Sequence, residues 1–168
     1  MPRFHTLPHV RWAGGSYPWE ITTALVYESD ILRRLGLPKE DPGMLRIRAG
    51  YRTDYASVPR LPIIYWLTGG RAVMESIVHD YLYDCWTDQI SRRTADRIFL
   101  EALRSRRPLP AAVHAPWRER LRARWRILHH AAIGITMYTG IRLGGWRGWR
   151  HDSTHKCLCC RGEGEQRK

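Results

Sequence analysis

Apolar and polar residues change their spacing along this chain, and the changes mark its elements. Leu45-Arg-Ile-Arg-Ala49 alternates apolar and basic residues with a period of two, which predicts a half-buried strand, and Asp41-Pro-Gly43 just ahead of it is turn chemistry. Trp19-Glu-Ile-Thr-Thr-Ala-Leu-Val-Tyr27 is rich in aromatic and β-branched residues and reads as another strand. Ile31 to Leu35 fits either a short strand or a helical turn. Together these segments predict a small N-terminal antiparallel sheet. Val58-Pro-Arg-Leu-Pro62 cannot continue a regular element, because its prolines remove backbone donors and restrict their neighbours, so it reads as a loop.

From Arg71 to Asp84 the period turns helical: Val73, Ile77 and Tyr81 recur at four-residue spacing beside Met74, Val78 and Leu82, with Gly69-Gly70 ahead of them. Ser91 is a good N-cap for a second helix from Arg92 to about Arg104, where Ala95, Phe99 and Leu103 share a face with Ile98 before Pro108 and Pro110 close the segment. A third helical stretch runs from about Pro116 to Tyr138, basic first and then apolar, its apolar part too short to span a membrane. Gly140, Gly144, Gly145 and Gly148, with Trp146 and Trp149, are expected to end the ordered part in a flexible segment. The fold class expected is α+β: an antiparallel sheet, an antiparallel helix pair and a C-terminal basic helix. Residues 1–150 form one domain in this reading, and 151–168 a flexible tail.

Composition agrees with one globular domain, at 168 residues, 43% hydrophobic and 26% charged. The formal charge of +12 adds something the pattern does not, a surface drawn to phosphate, anionic lipid or an acidic partner. That charge sits late in the chain, since Glu101 and Glu119 are the only acids between 101 and 150. Arg118, Arg122 and Arg126, together with Trp146, Arg147, Trp149 and Arg150, form an aromatic-basic series suited to nucleic acid or a lipid interface, and read equally well as a solvated helix face. No apolar run follows Met-Pro-Arg-Phe-His, so neither a secretory leader nor a membrane start is expected there. Cys85 stands alone, and the tail crowds His151, His155, Cys157, Cys159 and Cys160 too closely for the usual paired zinc ligands; a thiol-rich tail is favoured over a zinc site.

One polar group looks suited to chemistry. Glu75, His79 and Tyr83 fall at i, i+4 and i+8 on the first long helix, with Asp80 beside them, so they share a polar stripe on its half-buried edge. An imidazole acts as a base near neutral pH once a carboxylate fixes its tautomer, and an antiparallel return of the next helix brings Asp96 toward His79. Asp80 is then left for a cation or a partner's donor. The plainer reading makes His79 a structural histidine and Arg92 with Asp96 a surface pair. In Thr53-Asp54-Tyr-Ala-Ser57, Asp54, Ser57 and the nearby Arg60 support the site or merely cap a loop, and Asp54 or Arg60 is expected within side-chain reach of His79.

Gly50-Tyr-Arg-Thr-Asp-Tyr-Ala-Ser-Val-Pro-Arg60, Val78-His-Asp-Tyr-Leu-Tyr83 and Ser91-Arg-Arg-Thr-Ala-Asp-Arg-Ile-Phe99 resemble the three signature blocks of an uncharacterised family of bacteriophage and prophage proteins, over roughly residues 17 to 149. That resemblance implies a phage or prophage origin, in the virion or the host cytoplasm, and no established activity. A second, local resemblance is to the two-helix core of phospholipase A2 enzymes, in His79-Asp80-x-x-Tyr83 followed by Asp96-x-x-Phe99. It implies His79 as the base that activates water, Asp80 as a calcium ligand, Asp96 as the orienting acid and Tyr83 as its supporting hydroxyl. Gly69-Gly70 lies nearer to His79 than the calcium loop does in the secreted enzymes, and their framing cysteines are missing. Two functions are therefore expected: ester hydrolysis at a host envelope, or a non-catalytic virion or assembly component that binds a protein, nucleic acid or membrane.

Overall fold

A computed structural model of the chain describes residues 1–15, 17–53, 72–144 and 149. It has the α+β architecture expected, with the strands in the N-terminal half and the long helices after them. Among the described residues the expected single sheet is two. In the first, β1 (Arg3–Phe4), β4 (Leu25–Glu28) and β5 (Met44–Ile47) lie antiparallel in the order β1-β4-β5, with Leu25 opposite Ile47 and Glu28 opposite Met44. In the second, β2 (Val10–Trp12), β3 (Trp19–Ile21) and β6 (Arg52–Thr53) pair in the order β2-β3-β6.

The run from Trp19 to Tyr27 is thus divided between the sheets, and threonine hydroxyls account for the break. Thr22 bonds the His9 carbonyl through both its amide (2.8 Å) and its hydroxyl (3.1 Å), while the Thr23 hydroxyl accepts the His9 amide. On the far side, the Thr6 hydroxyl donates to the Ala24 carbonyl and accepts the Val26 amide. Side-chain oxygens here replace ladder partners, and the strand bends where they do.

Between β4 and β5 the chain forms a helical turn, α1 (Asp30–Arg34), capped by the Ser29 side chain, which accepts the Leu32 amide at 3.2 Å. The turn back requires glycine at Gly43. Its φ is +96°, and a Cβ there would meet the Arg33 Cβ at 3.0 Å and the Ser29 carbonyl oxygen at 3.1 Å.

Three longer helices follow among the described residues: α2 (Val73–Cys85), α3 (Arg92–Ser105) and α4 (Trp117–Gly144). Ser91 caps α3 as expected, its hydroxyl accepting the Thr94 amide at 3.2 Å. Helix α2 does not keep a polar edge in solvent. Met74 to Asp80, Leu82 and Tyr83 are all buried, because the main core, Ile21, Leu25, Tyr27, Leu45 and Ile47 from the strands with Ala95 and Ile98 from α3, closes around it.

Helix α4 also runs six residues past the expected end. A smaller core of Phe99, Leu103, Met137 and Ile141 holds its last turns against α3, and that burial outweighs the low helix propensity of Gly140. No helix among the described residues is long and apolar enough to cross a membrane.

Candidate functional site

Glu75 near the start of α2 meets Arg106 just beyond the end of α3 at 3.4 Å, and Tyr83 near the end of α2 meets Asp96 in the second turn of α3. The two helices therefore run antiparallel, as their short connection implies. That pairing puts His79 beside Asp96, with Nε2 at 3.1 Å from Oδ1. The Tyr83 hydroxyl donates to the same oxygen at 2.5 Å.

The other Asp96 oxygen faces α4. Arg142 donates from Nη1 to Oδ2 at 2.7 Å, and Arg92 brings Nε to 3.8 Å of that oxygen. Arg92 also donates from Nη2 to the Arg142 carbonyl at 2.9 Å, satisfying one of the acceptors a helix leaves open at its C-terminal end. Asp96 thus ties α2, α3 and the end of α4 to one carboxylate. The Arg92–Asp96 pair was open to reading as a surface contact, but the Asp96 side chain has no exposure at all.

Burial pushes the Asp96 carboxyl up, yet hydrogen bonds from His79, Tyr83 and Arg142 together outweigh it and hold the group below its ordinary value. An ionised Asp96 can only accept, so His79 donates from Nε2–H and carries its lone pair on Nδ1. Burial lowers the His79 pKa against the opposing pull of Asp96, leaving the ring neutral. Nδ1 has no hydrogen-bond partner among the described residues. The ring is enclosed by Tyr83, at a centroid distance of 4.1 Å, and by Phe99 at 5.2 Å.

Asp80 was expected to be left for a cation or a partner. Its Oδ2 accepts the buried Thr53 hydroxyl at 2.5 Å, which fastens β6 to α2. Four residues on, Asp84 accepts the Tyr51 hydroxyl at 2.8 Å. Calcium takes six to eight oxygens. Among the described residues no group of three or more His, Cys, Asp or Glu converges on a common point, and Asp80 already has one oxygen committed. Of a calcium shell Asp80 would supply one part, and backbone carbonyls and water would have to supply the rest.

Glu75, one turn before His79 on α2, is paired with Arg106, and burial raises its carboxyl pKa. Trp149, expected in a loose aromatic-basic segment, is half-buried with its ring edge-on to Tyr83 at 4.9 Å. Arg118, Arg122 and Arg126 are exposed on α4. Asp54, Ser57 and Arg60, the Val58–Pro62 loop, Trp146, Arg147 and Arg150, and the tail donors His151, His155, Cys157, Cys159 and Cys160 lie outside the described residues.

Two contributors escaped the sequence reading. Arg142 is the only arginine between 127 and 144, a lone guanidinium in the apolar half of a helix, and that isolation was the available signal. Glu101 had no such signal. It accepts from the Ser29 hydroxyl at 2.5 Å, the Tyr27 hydroxyl at 3.1 Å and the Ile31 amide at 3.1 Å, and so locks α3 to β4 and the start of α1.

No curated protein and no solved structure matches the chain at a significant level. A family match covers residues 19–115, from β3 through α3 to the link before α4. Since that match takes in His79, Asp80, Tyr83 and Asp96 and more than half of the sequence, the chain belongs to DUF1353, a family described as proteins of unknown function.

Proposed function

We propose that this chain is a phage- or prophage-encoded virion or assembly component that works by binding an anionic partner through α4, with the His79–Asp96 cluster serving as the scaffold that holds α4 in place. The observation that carries the reading is the charge on that helix. Arg118, Arg120, Arg122, Arg124 and Arg126 are all exposed, and Glu119 is the only acid among them. A surface of this kind attracts a polyanion strongly at low salt and weakly once the Debye length shrinks.

Enclosure of the cluster supports the scaffolding part. His79 and Asp96 have no exposure, Tyr83 3% and Asp80 5%, whereas a catalytic base must be reached by substrate. The phage assignment rests on the likeness of the three signature blocks to a phage and prophage family.

The test is co-sedimentation or anisotropy with two probes, a DNA duplex and vesicles containing anionic lipid, as salt is raised. Salt-sensitive binding to at least one of them is expected, lost when Arg118, Arg122 and Arg126 are all changed to Glu. Failure to bind either probe at low salt would overturn the reading.

A second reading, ester hydrolysis like that of phospholipase A2, has one specific observation behind it. A buried acceptor with no partner is costly, and catalytic groups are among the reasons for one, so a His79 Nδ1 with no partner among the described residues is what a general base requires. Asp96 and Tyr83 would then hold the ring's tautomer, and Asp80 would be the residue to contribute to a calcium site. A lipase assay with added calcium decides between the two. No turnover is expected; calcium-dependent turnover that disappears in His79→Ala would replace scaffolding with catalysis.

A further inference from the structure

Helix α4 has two apolar faces. On one, Ala123, Gly134, Met137 and Ile141 are buried against the domain. Trp117, Leu121, Trp125, Leu128 and Ile135 recur at the three- and four-residue spacing of a single helix row, and they are between 60% and 69% exposed. At 3.6 residues per turn that row lies about 160° around the helix from the docked face and runs for about 27 Å.

Arginines border it on both sides, Arg118 and Arg122 along one edge and Arg120 and Arg124 along the other. Aliphatic and tryptophan side chains in the middle with guanidinium groups at the rims describe a helix that lies in the plane of a membrane surface. Tryptophan favours that level because its ring is apolar and its N–H seeks a polar partner.

We infer that α4 docks on an anionic lipid bilayer, sinking the Trp117–Ile135 row into the headgroup boundary while the bordering arginines engage lipid phosphates. The inference rests on the reading that α4 is the binding element, and names its partner. A nucleic acid would pair with the arginines but would leave Leu121, Leu128 and Ile135 without apolar contact. A second copy of the chain would bring two arginine-bordered rows together, with only Glu119 to offset the repulsion. Crossing the bilayer is not what this helix is built for, since it is not apolar enough to span.

The experiment uses the full chain, vesicles of phosphatidylcholine alone or mixed with phosphatidylglycerol, and a DNA duplex. Leu121→Ser with Leu128→Ser removes apolar surface and keeps every charge; both positions are exposed, so an unchanged melting temperature shows that the fold persists. Binding to the anionic vesicles, with a blue shift of tryptophan emission, is expected for the parent chain, and the double variant should bind about tenfold more weakly or less. DNA affinity, measured alongside, should not change between the two.

Binding to DNA without binding to vesicles would overturn the bilayer and leave α4 as the binding element. Vesicle binding unaffected by the leucine changes would do the same, since adsorption would then be by charge alone. A dimer that becomes monomeric in the double variant, with no vesicle binding, would replace the bilayer by a second copy. Absence of binding to either probe would remove the bilayer together with the reading beneath it.

Discussion

Asp96 is the residue on which the helical half depends, because its two oxygens serve His79, Tyr83, Arg142 and Arg92 while none of its side chain meets solvent. Removing the carboxylate leaves an imidazole N–H and a phenol without acceptors in the interior and a guanidinium without its counter-charge. Breaking a buried pair from one side costs about 3–5 kcal/mol, whereas losing a single neutral donor costs about 1 kcal/mol. Asp96→Ala should therefore shift the urea midpoint several times further than Tyr83→Phe, with similar slopes in both. Equal shifts would mean that the carboxylate contributes no more than one of its donors.

His79 gives the cluster a pH dependence whose sign follows from its depressed pKa. In the unfolded chain histidine titrates near 6.5, so on acidification the unfolded state takes up the proton first and folding becomes less favourable. The loss amounts to at most about 1.4 kcal/mol per pH unit below about 6.5, and it stops once the folded pKa is passed. Burial lowers His130 too, with the same sign, so the discriminating variant is His79→Gln. Urea midpoints at pH 7.5 and pH 5.5 should lie closer together in His79→Gln than in the parent; the same gap in both would place the dependence on His130 or elsewhere.

At the scale of elements, what the sequence made legible was local. Four-residue spacing placed His79 and Tyr83 on one line, and the short link from α2 to α3 implied that Asp96 would face them, as it does. The burial of that line was not legible, since it depends on how the β-strands and α3 close around α2. Nor was the break between β3 and β4, where β-branched threonines favour a strand by propensity but use their hydroxyls to end one.

Glu101 is the plainest case of a role that only the assembled elements reveal. It lies 70 residues or more from its three partners, and no periodicity marks it. Because it satisfies the Ile31 amide and the Ser29 hydroxyl together, Glu101→Ala should cost about 1–3 kcal/mol. Amide exchange in α1 should speed up while α2 stays protected. Unchanged exchange at Ile31 and Leu32 would show that the Ser29 cap holds α1 without help from α3.

For the molecule as a whole, cohesion falls from the sheets and α2 outward along α4. The last turns of α4 are gripped by Met137, Ile141 and Arg142, but from Trp117 to Leu128 only Ala123 is fully buried. An exposed helix draws little stability from its own hydrogen bonds, so amides around Arg120–Arg126 should exchange by local opening, and those around Val78–Leu82 only as the whole domain unfolds. A bilayer beneath the Trp117–Ile135 row would supply the missing packing. Hydrogen exchange with and without phosphatidylglycerol vesicles should then show protection gained in the first half of α4 and little change in α2. Protection that appears in α2 instead, with none in α4, would move the lipid contact away from the arginine-bordered face and back toward the His79 cluster.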